Sequence, residues 1–329
     1  MLNTDIFEKY MTSEDSEKIT DNIYWNKNCK KPYLFLKSCI NIEEFDLEFI
    51  LDYLSNYETF NINYFDLTIF SVSFDTLLIS KLIENGFVIL SGKCMFDTYN
   101  QKILGQDNIN INKENIAAQE FIAAKLYKKY PMILLNDLHI PKSVFRKLHK
   151  YELRVDTDFD IIVDKCSKTH GEDWLFENMR NLFKKLYRES NPYFRFTSFA
   201  LYRDNELKAG EFGCVIGNML YISYSGYYEE SGAGTIQLTK MFQFLEESNF
   251  IYCNLFGCND YKYKLGATDI YLKQYLCLFN AIKAISVKNA PYHGGQSIIT
   301  GIETAVLQRM THNNAVIVNG EIYHSKLTD

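Results

Sequence analysis

The chain has 329 residues, of which 47% are apolar, 23% charged and 15% aromatic, a globular composition far too aromatic for a disordered protein. At roughly 150 residues per domain the length predicts two domains, each with its own core. Thirty-five basic residues against 41 acidic give a net charge of -6, so the molecule as a whole does not attract polyanions such as DNA, and a nucleic-acid site has to be a local patch.

Eight cysteines (Cys29, Cys39, Cys94, Cys166, Cys214, Cys253, Cys258, Cys277) include no C-x-x-C pair, and several sit in apolar runs such as Cys214-Val215-Ile216. They read as buried free thiols of a reducing compartment, with no zinc framework. The first residues, Met1-Leu2-Asn3-Thr4-Asp5, lack the basic and then apolar order of a signal peptide. No run reaches the roughly 18 apolar residues of a membrane span. The expectation is a cytoplasmic protein with no membrane partner and no bound metal or cofactor.

In chain order, residues 1–22 are polar and charged and read as a loose arm. An α+β domain is expected over 23–135. Tyr24, Trp25, Tyr33, Phe35 and Leu36 mark short strand, Phe45 to Leu54 has helical spacing, and Thr76 to Glu84 reads as a helix stopped by Asn85-Gly86 ahead of a strand at Phe87 to Leu90. Residues 93–116 read as an inserted loop, and Ala117 to Tyr130 as helical until Pro131 ends it.

From Trp174 to Tyr187, Leu175, Met179, Leu182, Phe183 and Leu186 share one helical face. Three strands follow, Phe196 to Arg203, Leu207 to Ile216 and Met219 to Tyr224, with turns at Asp204-Asn205-Glu206 and Gly217-Asn218 that predict an antiparallel meander. After Gly232-Ala233-Gly234-Thr235 come a helix, a buried strand at Phe250 to Phe256, a short helix near Asp260 to Lys264 and a last strand from Ile270 to Leu278. Beyond Asn280 lie a helix-like Ser297 to Met310 and a strand-like Ala315 to Val318. This order resembles the GNAT acyltransferases, a fold of mixed, mostly antiparallel sheet flanked by helices. The resemblance implies a catalytic domain over 136–280 followed by an extension over 281–329. It also implies that Met219 to Tyr224 and Phe250 to Phe256 splay apart around an acyl donor and an amine.

Leu138-His139-Ile140-Pro141-Lys142-Ser143, Arg146-Lys147 and Tyr151-Glu152-Leu153-Arg154-Val155-Asp156 resemble the entry to the catalytic domain of bacterial leucyl/phenylalanyl-tRNA protein transferases. The likeness continues through Asp204-Asn205-Glu206-Leu207, Gly213, Gly217, Cys253, Leu265-Gly266-Ala267 and Tyr275-Leu276, and weakly upstream in Leu77 to Phe87. The resemblance implies transfer of Leu or Phe from an aminoacyl-tRNA ester to a protein's N-terminal amine, an N-degron reaction needing neither metal nor nucleotide because the ester is already activated.

Three departures fall on the chemistry. Tyr252-Cys253-Asn254 stands where the family has Asp-Cys-Gln, keeping an amide at Asn254 but losing a carboxylate. Ile222-Ser223-Tyr224 stands where it has Gly-Glu-Ser, removing the Glu that recognises a basic N-terminal residue. Residues from about Lys93 to Lys129 replace a tryptophan-rich segment that helps to clamp the tRNA end. The resemblance therefore marks Asn254, Tyr252, Ser223 and Tyr224 as catalytic candidates and Gly266 as a substrate-binding one; by position, Tyr227 and Tyr228 are candidates to stack an adenosine or bond the ester, and Glu229 and Glu230 to take a cationic acceptor.

Lys142, Arg146, Lys147, His149 and Lys150 form the densest basic cluster, either a tRNA-facing patch or a solvated helix face. Lys184, Lys185 and Arg188 form a weaker one. Ser231 to Thr235 is either a pyrophosphate cradle or a tight turn capped by Thr235 or Ser231. Three readings stay open: an aminoacyl-tRNA-dependent transferase of altered acceptor choice, a non-catalytic module binding tRNA or a protein terminus, and, more weakly, a coenzyme A-dependent N-acetyltransferase.

Overall fold

A computed structural model describes residues 16–20, 23–26, 33–36, 45–55, 66–94, 119–217, 219–256, 260–288, 308–311, 315–318 and 321–324. The chain divides into two compact units, residues 1–128 with 172–182, and residues 129–171 with 183–329.

The first unit contains β1 (Ser16–Thr20), β2 (Ile23–Asn26), β3 (Tyr33–Leu36), α1 (Leu47–Ser55), β4 (Leu67–Ser71), α2 (Thr76–Glu84), β5 (Val88–Cys94) and β6 (Gln119–Leu126). Its six-stranded sheet runs β1-β2-β3-β4-β6-β5 and is antiparallel except between β3 and β4. Helix α2 has the bounds that its sequence dictates. The Asp75 carboxylate accepts from the backbone N–H groups of Leu77 and Leu78 at 2.9 and 3.1 Å, and Gly86 leaves the helix at φ +85°.

Two expectations are corrected here. Residues 16–20 are an edge strand paired with β2 rather than part of a loose arm, because β2 supplies backbone partners for Ser16, Glu17, Lys18 and Thr20, with a register shift between Lys18 and Thr20. Residues 119–126 are a strand, not a helix. Phe121, Ile122, Ala123, Ala124 and Leu126 are all buried in a strand flanked by β4 and β5, so burial on both faces yields an unbroken apolar run and overrides alanine's helical propensity. Most of the loop expected over 93–116 lies outside the described residues.

The second unit holds β7 (Lys129–Leu134), a short basic helix α3 (Lys142–Phe145), β8 (Glu152–Val155), α4 (Phe159–His170) and then, past the division that falls within it, the end of α5 (Glu177–Arg188). It continues with β9 (Phe194–Arg203), β10 (Glu206–Ile216), β11 (Leu220–Tyr228), α6 (Ala233–Glu247), β12 (Tyr252–Asn254), α7 (Asp260–Lys264), β13 (Thr268–Tyr271) and α8 (Leu272–Lys288). The seven-stranded sheet runs β13-β7-β12-β11-β10-β9-β8, and only β11 and β12 are parallel neighbours. The expected mixed, mostly antiparallel sheet flanked by helices is present. So is the meander, whose β9–β10 turn places Asp204 and Asn205 at φ +53° and +61°.

The strand expected from Ile270 to Leu278 is corrected to β13 followed by a helix. Leu272, Tyr275, Leu276, Phe279 and Ile282 recur at spacings of three and four and are all buried, the period of a helix laid on a sheet. Ala315–Val318 is a strand as expected, β15, between β14 (Gln308–Thr311) and β16 (Glu321–His324) in an antiparallel three-stranded sheet. Residues 308–310, expected at the end of a helix, are therefore strand, paired with β15, and 297–307 lie outside the described residues.

On one face of the large sheet, Met241, Phe242 and Leu245 of α6 pack on Phe199, Val215, Tyr221 and Cys253. On the other, Phe183, Phe196, Phe212 and Tyr224 form a ring cluster with centroids 5.2 to 6.2 Å apart. Asp156, at φ +58°, ties the entry of α4 to β9. Its carboxylate accepts from Thr197 Oγ1 at 2.7 Å and Ser198 N at 3.0 Å, and pairs with Arg195 at 3.2 Å.

Gly213 is set by close approach. A Cβ there would lie 2.4 Å from the Ile222 carbonyl oxygen and 2.5 Å from the Tyr221 hydroxyl. Gly213→Ala is expected to destabilise the chain by about 2–3 kcal/mol through overpacking. Gly171→Ala, with open space around it and only backbone strain at φ +86°, ψ 155° to oppose it, should cost about 1 kcal/mol. Denaturant unfolding of the two variants checks the order, and equal losses would refute the steric account.

Candidate functional site

Strands β11 and β12 pair for three residues only, Leu220↔Tyr252, Tyr221↔Cys253 and Ile222↔Asn254. Strand β12 then stops while β11 runs on to Tyr228. Asn254 builds the stop. Its side-chain oxygen accepts from the Phe256 N–H at 2.9 Å, and Phe256 turns the backbone at φ +50°. The side chain is fully buried and its Nδ2 has no hydrogen-bond partner, a bare donor that costs about 1–3 kcal/mol. Asn254, expected to meet an incoming amine, organises this turn from a fully buried position.

Beside this junction lies a carboxyl group that sequence reasoning missed. Glu211 of β10 is 4% exposed and turns inward beneath α6. The Tyr221 hydroxyl donates to its Oε1 at 3.0 Å, and the side chains of Ser223 and Gln237 also hydrogen-bond it. Lys262 of α7, itself 3% exposed, faces it electrostatically and donates from Nζ to the Leu255 carbonyl at 2.7 Å. Burial pushes the Glu211 carboxyl up from 4.5 to about 7, with Ser223, Tyr221, Lys262 and Gln237 all pulling the other way. The available signal was its register. Ala209 and Val215 of the same strand pack in clusters with α6, so at period two Glu211 is the charged residue on an apolar face.

The other expected residues divide by what holds them. Ser223 reaches the Glu211 carboxyl, so it shares a cluster with a buried acid although the acid sits on the neighbouring strand. Tyr224 is on the opposite face, its ring packed by Phe183, Phe196, Phe212 and Phe256. Tyr252 is partly buried, and burial raises its phenol. Tyr227 is buried beneath the Lys165 ammonium, 5.5 Å from the ring centroid, with its hydroxyl unpartnered. Tyr228 is 64% exposed and lies over Gly234 in the first turn of α6.

Glu229 pairs with Lys165, while Glu230 takes Arg203 at 2.7 Å and the Tyr151 hydroxyl at 2.5 Å. Both carboxylates are already engaged. Gly266, at φ +104°, turns the chain after α7, where a Cβ would meet the Asp137 carbonyl at 2.7 Å. Gly232 is the N-cap of α6 at φ +85°, with no side-chain cap from Ser231 or Thr235.

Lys142 lies on α3 and Lys150 on the tight 3-10 turn Leu148–Lys150, with Arg146 and Lys147 capping the two in the link between them. All four are exposed, as is Phe145 at 47%, and none forms an ion pair with a described residue. Val144 and Leu148 hold the segment down on Leu201, Ala209, Ala233 and Ile236. By contrast Lys184 and Arg188 of the second basic cluster are committed to Asp164 and Asp160. Cys166, Cys214 and Cys253 are buried free thiols; burial pushes Cys166 up to about 12 and Cys253 well above its ordinary value, which makes them poor nucleophiles. Among the described residues no cluster of His, Cys, Asp and Glu could hold a metal ion, and no helix is long and apolar enough to cross a membrane.

The Glu211 shift has a sign. The folded chain binds this proton more tightly than the unfolded one, so the contribution to stability is complete below about pH 4.5 and is lost as pH rises through about 7. The expected loss is on the order of 3 kcal/mol. Glu211→Gln should flatten the pH dependence of denaturant stability between pH 5 and 8, and a variant with the same slope as the wild type would refute the shift.

Residues 132–280, a little under half of the chain and running from β7 into α8, match the family model described as leucyl/phenylalanyl-tRNA protein transferase. Similar curated proteins bear the same name. One from Campylobacter jejuni is 23% identical over 170 residues, covering 51% of this chain and 74% of its own length. Another, from Akkermansia muciniphila, is 26% identical over 149 residues, covering 44% and 75%. Among solved structures, the C-terminal domain of a putative lysylphosphatidylglycerol synthetase from Agrobacterium fabrum is 10% identical with a TM-score of 0.37, over 78% of this chain and 81% of that one. A GCN5-related N-acetyltransferase from Kribbella flavida is also 10% identical, with a TM-score of 0.29 over 82% and 93%. Likenesses this weak leave the fold to be read from its own topology. Over residues 132–280 the chain is therefore similar, at low identity, to the leucyl/phenylalanyl-tRNA protein transferases.

Proposed function

We propose that this chain moves an amino acid of the Leu or Phe type from aminoacyl-tRNA to the N-terminal amine of a protein or peptide in the cytoplasm, as an N-degron reaction with altered acceptor choice. The family match carries the reading, because it covers the strand junction and the basic segment together. The reaction is aminolysis of an ester already activated on tRNA, so the protein's task is to hold ester and amine within attacking distance. Loss of the acidic residue at position 223 removes the Coulombic reason for a Lys or Arg acceptor at that position, which is why the acceptor is expected to differ.

The four exposed cations of the α3 segment supply the tRNA contact, with Phe145 between them as a surface for base stacking. A second reading, a module that binds tRNA or a protein terminus without transfer, is favoured by the sealed side chain of Asn254 and by the ion pairs of Glu229 and Glu230.

Incubation with radiolabelled Leu-tRNA or Phe-tRNA and a panel of peptides differing in their first residue separates the two. Label on a peptide supports transfer, and tRNA binding with no labelled peptide supports the module. Replacing Lys142, Arg146, Lys147 and Lys150 together by Ala should weaken tRNA binding at least tenfold at low salt. It should also reduce the slope of log affinity against log salt by about 3. An unchanged slope would remove this segment from the tRNA contact.

A further inference from the structure

We propose that Glu211 is the proton acceptor for the attacking amine, in a site formed by Tyr221 and Ser223 of β11, Gln237 of α6 and Lys262 of α7. The inference rests on the transferase reading above and names the group that makes its nucleophile. Three observations on geometry carry it. The carboxyl is held in place by hydrogen bonds from Tyr221, Ser223 and Gln237, which fixes its orientation. It lies under the part of β11 that β12 no longer accompanies, since the parallel ladder ends at Ile222↔Asn254. On the adjoining helix α7, Tyr261 is 48% exposed and feels the Glu211 charge electrostatically.

The titratable and charged groups around the carboxyl are Tyr221 on β11, Cys166 on α4, Cys253 on β12, and Tyr261 and Lys262 on α7. Burial raises the tyrosine phenols and the two thiols, which keeps them neutral near pH 7, and Ser223, Tyr221, Lys262 and Gln237 together favour the ionised form of Glu211, Lys262 as the one cation among them.

An N-terminal ammonium arrives protonated, with an ordinary pKa near 8. Ionised Glu211 takes one proton, leaving a neutral carboxyl and a neutral amine. The amine lone pair attacks the ester carbonyl, the new C–N bond forms, and the bond to the tRNA 3' oxygen breaks. The proton shed by nitrogen ends on that oxygen, giving an amide and a free hydroxyl, and Glu211 returns its own proton to solvent. A carboxylate with an ordinary pKa would be a base too weak by more than three units. One near 7 accepts the proton about one unit uphill.

The test is single-turnover transfer from aminoacyl-tRNA to a peptide that the wild type labels, measured across pH, with tRNA affinity measured in parallel. The wild-type rate should rise through about pH 7. Glu211→Gln should slow transfer about 100-fold at pH 7 and leave only the rise of the free amine near 8, with tRNA affinity within twofold of the wild type. Ser223→Ala removes a hydrogen bond that lowers the carboxyl and should move the wild-type midpoint upward, which decides the matter if the Gln variant does not fold. A Gln variant that transfers at the wild-type rate, or a Ser223→Ala midpoint that stays put, overturns the role of Glu211 alone. A wild type that labels no peptide overturns the transferase reading and this inference with it.

Discussion

A carboxyl group placed under a helix, on the inner face of a sheet, has no water to solvate its charge, so the residues around it must supply what water would. At Glu211 that requirement organises the centre of the second unit. Tyr221 can extend its ring across β10 only because Gly213 has no Cβ, and its hydroxyl then reaches the carboxyl. Ser223 follows two residues on along the same face of β11, α6 contributes Gln237, and α7 brings the buried ammonium of Lys262. Four elements, β10, β11, α6 and α7, thus meet at one acid, and the sheet register is what brings the two strands together there.

The two faces of the large sheet do different work. Under α6 the apolar packing of Met241, Phe242 and Leu245 lies on the same face as the buried polar cluster around Glu211. On the other face Phe183, Phe196, Phe212 and Tyr224 pack ring against ring. Asn254 stands between these roles. It closes the parallel ladder and starts the turn that leads towards α7.

Much of this architecture is legible in the chain itself, where local signals and tertiary demands agree. Helix α2 carries its own cap in Asp75 and its own stop in Asn85-Gly86, and the meander carries a turn pair at Asp204-Asn205. Reading failed where burial overrode local preference. Ala123 and Ala124 favour helix but lie in a strand with neighbours on both sides. Leu272 to Leu278 is apolar enough to pass for a strand until the spacing from Leu272 to Ile282 is followed. At the site, family resemblance pointed to positions 223 and 254 and so away from position 211. Which oxygen and which amide face each other is set by cross-strand pairing, and pairing is not written in any one segment.

The buried cysteines of this unit give the chain a built-in reporter. Cys166, Cys214 and Cys253 belong to three different elements and are shut away from solvent, with their thiolate forms suppressed. A thiol reagent in the surrounding solution therefore meets them only when the second unit opens. The pace of their modification measures how often helix α4, the middle of the meander and the short parallel strand let go of one another.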